Sequence, residues 1–168
     1  AHRKQIKYKR ERQPISSADV GGHSQYKNLW IEDMFGRQVN IVFFMVDHRV
    51  LTHPNFREEA VASLQYLVDN ITGKDRTKAI SRRAKKNAKN GYKPDLFCFL
   101  INKMDVWWTP QAQYLWSHEL QREHPIVYPF KQQLRDLRKA GIQAKVEAIS
   151  AQHGLNVEKV MINLIEAI

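Results

Sequence analysis

Cysteine occurs once in 168 residues, at Cys98, inside an apolar run. A disulfide framework is therefore excluded, a reducing compartment fits, and a small buried hydrophobe is the expected role. No apolar run is long enough to cross a bilayer. The start, AHRKQIKYKRER, is basic with no apolar stretch behind it, so it does not read as a signal peptide. A cytoplasmic protein, peripheral to a membrane at most, is the expectation. There is no internal repeat, and the histidines at 48, 53, 118, 124 and 153 have no paired metal-ligand spacing, which leaves them as ordinary surface or satisfied core residues.

Acidic charge is also scarce. Lys and Arg number 27 against 17 Asp and Glu, for a net charge of +10. The excess is concentrated. His2–Arg12 carries six Lys/Arg against Glu11, net +5, and Lys74–Lys93 carries nine against Asp75, net +8. Those two segments exceed the whole-chain charge, so the remaining residues are slightly acidic, at −3. The basic front segment, residues 1–18, and the basic insertion, residues 74–93, stand apart from an ordinary domain body.

What remains is globular: 43% apolar residues in a length that suits one domain, residues 1–168. KQIKYKRE alternates weakly, as an edge strand does, whereas PISSA is a poor strand. DVGGHSQYKNLW is a turn signal running into mixed polar and apolar residues. NIVFFMVD, residues 40–47, is continuous rather than alternating, which predicts a strand buried on both faces of a parallel sheet. His53–Gly73 has helical spacing, with Ala60, Val61, Leu64, Leu67, Val68 and Ile71 on one face, Glu58 and Glu59 suited to its opening turn, and Gly73 as the stop. DLFCFLI, residues 95–101, is a second buried strand. Thr109-Pro110 opens a helix through Leu120, Phe130–Ala140 is another ended by Gly141, and AKVEAIS, residues 144–150, is a third strand. Residues 154–168 close with an amphipathic helix. The order predicts an α/β fold, three-layered, with a mostly parallel sheet flanked by helices.

In open parallel sheets, ligands bind beyond the carboxyl ends of the strands. Three polar clusters fall where strands end or should end: Asp19-Val20-Gly21-Gly22-His23, Asn102-Lys103-Met104-Asp105 and Ser150-Ala151-Gln152. In this combination and order they resemble the P-loop GTPases of the Ras superfamily, nearest to the Arf-like and G-protein α branch. Asp-Val-Gly-Gly is similar to its switch II, Asn-Lys-x-Asp to its guanine-specificity motif and Ser-Ala-x to its last base-contacting loop. Leu29-Trp30 follows at Arf-like spacing. The resemblance spans Asp19 to the C-terminus.

It implies a G domain binding GTP or GDP with Mg2+, and GTP hydrolysis by in-line attack of water on the γ-phosphate, assisted by a partner-supplied arginine. Asp105 would accept from guanine N1–H and N2–H2, a pair that adenine does not offer. Lys103 would lay its stem along the base, Asn102 would tie the loops together, and the Ala151 N–H would donate to guanine O6, with Ser150 and Gln152 beside it. Asp19 would hold a Mg2+-bound water, the Gly22 N–H would sense the γ-phosphate, and His23 would position the attacking water. The plain alternatives are a capped strand-to-helix turn at 102–105 and a solvated histidine at 23.

One part of that pattern is absent. No Gly-x-x-x-x-Gly-Lys-Ser/Thr occurs, and the only Gly-Lys, Gly73-Lys74, is followed by Asp. Thr52, Thr72, Thr77 and Thr109 all follow switch II, where the family's switch I threonine precedes it. Eighteen residues before Asp19 are too few for a first strand, phosphate loop, first helix and switch I. The expectation is that the sequence is a piece of a longer chain and the P-loop lies upstream. The alternative is a pseudo-GTPase that serves as a scaffold or as an RNA, ribosome or anionic-surface module without hydrolysing nucleotide. Effector or activating proteins would meet the switch II region. Lys74–Lys93 reads either as an arm for RNA, ribosome or anionic lipid or as a solvated insertion. Of the adjacent Trp107 and Trp108, one is expected to be exposed as a protein-contact anchor.

Overall fold

The computed structural model describes residues 2–8, 11–17, 24–75 and 80–167, with side chains from residue 25 onward. Strands β1 (His2–Tyr8) and β2 (Glu11–Ser17) pair antiparallel as a two-stranded ribbon. PISSA, expected to be poor strand sequence, contributes Pro14–Ser17 to β2, with Pro14 opposite Gln5. A two-stranded ribbon tolerates this because each strand has an outer edge that needs no ladder donor.

The body is a parallel three-stranded sheet in the order β3 (Ile41–Val46), β4 (Leu96–Ile101), β5 (Gln143–Ala148). Its register is unbroken, with Val46 opposite Ile101 and Ile101 opposite Ala148. Helices cover both faces, as the strand–helix alternation predicts. On the thicker side are α1 (Lys27–Arg37), α3 (Pro54–Thr72), α4 (Arg82–Lys89) and α7 (Lys131–Lys139). Their apolar faces join Phe97, Phe99 and Ile101 of β4 in one core. The opposite face is thin: Leu96, Cys98 and Leu100 meet Val160 and Leu164 of α8 (Val157–Ile165). Cys98 is fully buried, and burial pushes its thiol well above the ordinary range.

Helix α3 forms as its spacing predicts. Gly73 ends it in the left-handed region at φ 78°, where a Cβ would be strained, and its N–H bonds Asn70. Glu58 and Glu59, expected in the first turn, lie one turn later because Pro54 takes the first helical position. Three short elements complete the chain: α2 (Arg49–Thr52), α5 (Met104–Trp107) and α6 (Pro110–Ser117), the last capped by Thr109 Oγ1 accepting from Ala112 N at 3.2 Å.

Residues 27–37, mixed polar and apolar in sequence, form α1 because Ile31, Met34 and Phe35 fall on one face and bury against α3 and α4. Within the basic segment, eight residues form a docked helix, α4. Two expectations need correction. Strand β3 is not buried on both faces: Phe43 is 41% and Met45 52% exposed, since α8 covers β4 and β5 but does not reach that edge. Neither adjacent tryptophan projects into solvent. Helix α5 ends between them, with Trp108 extended at φ −71°, ψ 123°, so both rings pack with Trp116 at centroid distances of 5.3–5.5 Å.

The asymmetry makes a testable contrast. Phe99 is fully buried, with its ring 4.7 Å from Phe130 and 6.0 Å from Phe44. Phe99→Ala should cost about 3–5 kcal/mol of unfolding free energy in urea. Met45→Ala, at the bare edge, should cost less than about 1 kcal/mol.

Candidate functional site at the strand ends

The in-register parallel pairing brings three chain segments to one level. Val46, Ile101 and Ala148 are the last ladder residues, so Asp47, Asn102 and Ile149 emerge side by side. The backbone stitches them together: Asn102 N donates to Val46 O at 2.8 Å, Ile149 N to Ile101 O at 2.9 Å and Met104 N to Ile149 O at 3.0 Å.

Asn102 joins the loops a second time, through its side chain. Its Oδ1 accepts from Lys103 N at 2.8 Å and from Ala151 N at 3.0 Å, while its carbonyl accepts from Trp107 Nε1 at 3.0 Å. The Asn102 and Ser150 loops are thus held by one amide oxygen. The same bond engages the Ala151 N–H that the resemblance assigns to guanine O6.

Lys103 adopts the left-handed conformation, φ 56°, ψ 41°, which costs a residue with a Cβ about 1–2 kcal/mol. That turn reverses the chain from β4 into α5. The Lys103 ammonium lies 3.6 Å from Asp47 Oδ2 at the end of β3. Burial alone would raise the Asp47 pKa. Hydrogen bonds from the Arg49 side chain at 2.9 Å and the Arg49 N–H at 3.0 Å, with the charges of Arg49 and Lys103, bring it below the usual carboxylate range.

Asp105 sits in the first turn of α5 beside the Ser150 loop, with its carboxylate open to solvent. The Ser150 hydroxyl is the chief influence lowering its pKa, although Ser150 Oγ, buried, is at the margin of hydrogen bonding and has no partner of good geometry. His153 adds to the effect, its Nε2 3.7 Å from Asp105 Oδ2, as does the charge of Lys103. Asp105 is therefore a carboxylate, an acceptor only, at neutral pH. The loop that carries Ser150, Ala151, Gln152 and His153 closes on itself through Ser150 N to Leu155 O at 3.1 Å, and Asn156 Nδ2 ties it to Ala148 O at 2.7 Å. Gln152 is exposed at its rim.

The structure therefore gathers Asn102, Lys103, Asp105, Ser150, Ala151 and Gln152. Asp19, Gly22 and His23 lie outside the described residues. Two members of the cluster escaped sequence reasoning. His153 was read as an ordinary surface histidine, and Asp47 only as a strand end; a carboxylate closing a parallel strand two residues before an arginine was the available signal. Among the described residues no group of His, Cys, Asp and Glu is arranged to hold a metal ion, and no helix is long and apolar enough to cross a membrane. A cleft of about 770 Å3 lies elsewhere, along β5 between Leu120, Arg138 and Asn163. Its lining includes neither loop of the cluster.

Asn102→Ala should destabilise the domain by about 1–2 kcal/mol and accelerate hydrogen exchange at the Ala151 amide, read by NMR. Because the Asp47 pKa is lower folded than unfolded, its contribution to stability is complete above about pH 4 and is lost as pH falls through the folded value. Denaturation midpoints should drop on acidification below pH 4, and by less in Asp47→Asn.

No protein-family model matches this chain, and no curated protein sequence matches it either.

Proposed function

We propose that the strand-end cluster recognises the guanine base of GTP or GDP, and that the chain is the base-binding part of a GTP-hydrolysing switch. The observation that carries the proposal is the Asn102 Oδ1 bond to Ala151 N, which joins the two loops that guanine recognition needs and leaves the ionised Asp105 facing outward beside them. Two parallel acceptor oxygens match the adjacent N1–H and N2–H2 of guanine. Adenine presents an acceptor at N1, so the same carboxylate repels it. Lys103, reaching from the end of β4 toward Asp47 at the end of β3, supplies an aliphatic stem at the same level.

Binding the base requires the Ala151 N–H to be shared between Asn102 and guanine O6, a bifurcated donor. Phosphate binding requires more than this cluster. Mg2+, when bound, would neutralise charge on the phosphates; Asp19 is the residue this chain offers it through water, with Gly22 and His23 next to the γ-phosphate. This reading also needs a phosphate-cradling strand, loop and helix. Among the described residues the edge of β3 is unpaired, and with the bare Phe43 and Met45 beside it offers a ladder and an apolar face for such a unit.

The competing reading is a nucleotide-free pseudo-GTPase, favoured by the absence of a Gly-x-x-x-x-Gly-Lys-Ser/Thr phosphate cradle from this sequence. Titration separates the two. The full polypeptide in Mg2+ should bind fluorescently labelled GDP, with unlabelled GDP and GTP competing and ATP at least about 100-fold weaker. Asp105→Asn should weaken guanine nucleotide binding by about 10–100-fold and improve binding of the xanthine analogue, whose O2 accepts from the new amide. Equal competition by ATP and GTP would defeat the guanine reading, and no binding of any nucleotide would favour the scaffold.

A further inference from the structure

Helix α4, Arg82–Lys89, is the most cationic element in the described residues, and it is held rigidly. Ala84 and Ala88 are buried against the core, and Asn87 Nδ2 donates to Phe35 O at 2.8 Å. At its start Ser81 Oγ accepts from Ala84 N, while the Ser81 N–H and hydroxyl donate to Glu32 of α1 at 2.7 and 2.6 Å. At 100° per residue these anchors occupy one side, and Arg82, Arg83, Lys85, Lys86 and Lys89 fan across about 160° on the other. All five are exposed.

None of the five makes an ion pair among the described residues. Other cations of the body do: Arg37 with Asp33, Arg49 with Asp47, Lys74 with Asp136 and Lys131 with Glu123. The arrangement works against the helix. Arg82 and Arg83 sit at the positive end of its dipole, and Arg82–Lys86 and Lys85–Lys89 are like-charge pairs one turn apart. The Ser81 cap and the alanine docking offset a repulsion that folding itself does not require.

We propose that α4 is a docking ridge for the phosphate backbone of double-stranded RNA. The ridge is convex, so a flat lipid surface would meet only the crest formed by Arg82, Lys86 and Lys89. The segment has nothing to insert into lipid either, because Ile80 and Tyr92 are packed against the core. A single strand would need exposed aromatic faces for stacking. Tyr92 is the segment's only aromatic, with its ring against Phe35 and its hydroxyl donating to Val39 O. Two rows of phosphates flanking a groove engage crest and flanks together. The alanine contacts hold α4 close to the body, so it cannot enter the major groove of B-form DNA, about 8.5 Å deep. It suits the wide, shallow minor groove of an A-form duplex, with Arg83 facing one phosphate row and Lys85 the other.

The test is fluorescence anisotropy of the full polypeptide with a labelled 20-base-pair RNA duplex across a salt series. Five neutralised phosphates give a slope of log K against log salt of about −4.5. The variant Arg82→Gln/Arg83→Gln/Lys85→Gln/Lys86→Gln keeps helix-forming residues throughout. With its circular dichroism unchanged, it should bind at least 30-fold more weakly, with the slope reduced to about −1. A charge-matched control, Lys27→Gln/Arg37→Gln/Lys131→Gln/Lys139→Gln, should retain binding to within about 5-fold. Binding that is equal in the two variants would overturn the proposal. So would tighter binding to the same sequence as duplex DNA or single-stranded RNA, or binding to phosphatidylserine vesicles alone.

Discussion

The strand-end cluster depends on one amide oxygen. Asn102 Oδ1 accepts from the N–H of its own successor and from Ala151 across the sheet, so it sets the direction in which the chain leaves β4 and the position of the loop leaving β5. The bond to Ala151 would not form without the unbroken parallel register, since a slip of one residue would turn Asn102 to the other face. The left-handed turn at Lys103 follows from the same constraint: with Asn102 fixed to its neighbours, the chain must reverse sharply to send Asp105 back beside Ser150. Local strain at Lys103 is thus tolerated because bonds on both sides over-determine it. The ion pairs at Asp47 extend the arrangement to β3, so all three strand ends are cross-linked by polar side chains.

The sheet that supports this cluster is lopsided. Four helices pack on one face, so every odd-numbered residue of β4 is sealed, whereas α8 alone covers the other and stops short of β3. Among the described residues β3 is an unpaired parallel edge with Phe43 and Met45 bare beside it, whereas such surface in parallel sheets is normally paired or shielded. The same edge lies next to Asp47 and Lys103. A parallel strand that completed the ladder there would bring its own carboxyl-end loop to the level of Asn102, Lys103 and Ser150, where, on the guanine-switch reading, a triphosphate attached to the base would extend.

Much of this was legible in the sequence, for specific reasons. LFCFLI, residues 96–101, reads as a buried strand because every side chain is apolar, and Pro54, Gly73, Thr109-Pro110 and Gly141 mark helix ends through φ preference and capping. The Asn102–Asp105 and Ser150–Gln152 clusters were visible because polar residues abruptly ending apolar strands have few other uses. What was hidden depended on partners distant in sequence. Helix α1 has a weak pattern of its own and is defined by Glu32 meeting Ser81 and Phe35 meeting Asn87. The basic segment hid α4 because the signal was two alanines among cations, a stripe too small to register as hydrophobic. His153 became notable only when the loop closure brought it to Asp105.

Those hidden contacts tie α1 to the surface proposed to bind RNA. It begins one 3-10 turn, Ser24–Tyr26, after the 19–23 segment, whose Gly22 and His23 the guanine-switch reading sets beside a γ-phosphate, and it is clamped to α4 by a carboxylate at one point and an amide at another. Tyr92, just beyond α4, is bonded to Val39 ahead of β3, at the amino end of the sheet, whereas the proposed base site lies at the carboxyl end. Six-residue strands separate those ends by about 20 Å, so nucleotide and RNA would not compete for space. Occupancy of one surface could still bias the other through α1. Its apolar face packs against α4 and two polar anchors pin the pair, so a shift of α1 would carry the cationic ridge with it as a unit. Communication would need only a small rigid-body displacement of one helix pair over the thick face of the sheet, a motion that packed helices accommodate without unfolding.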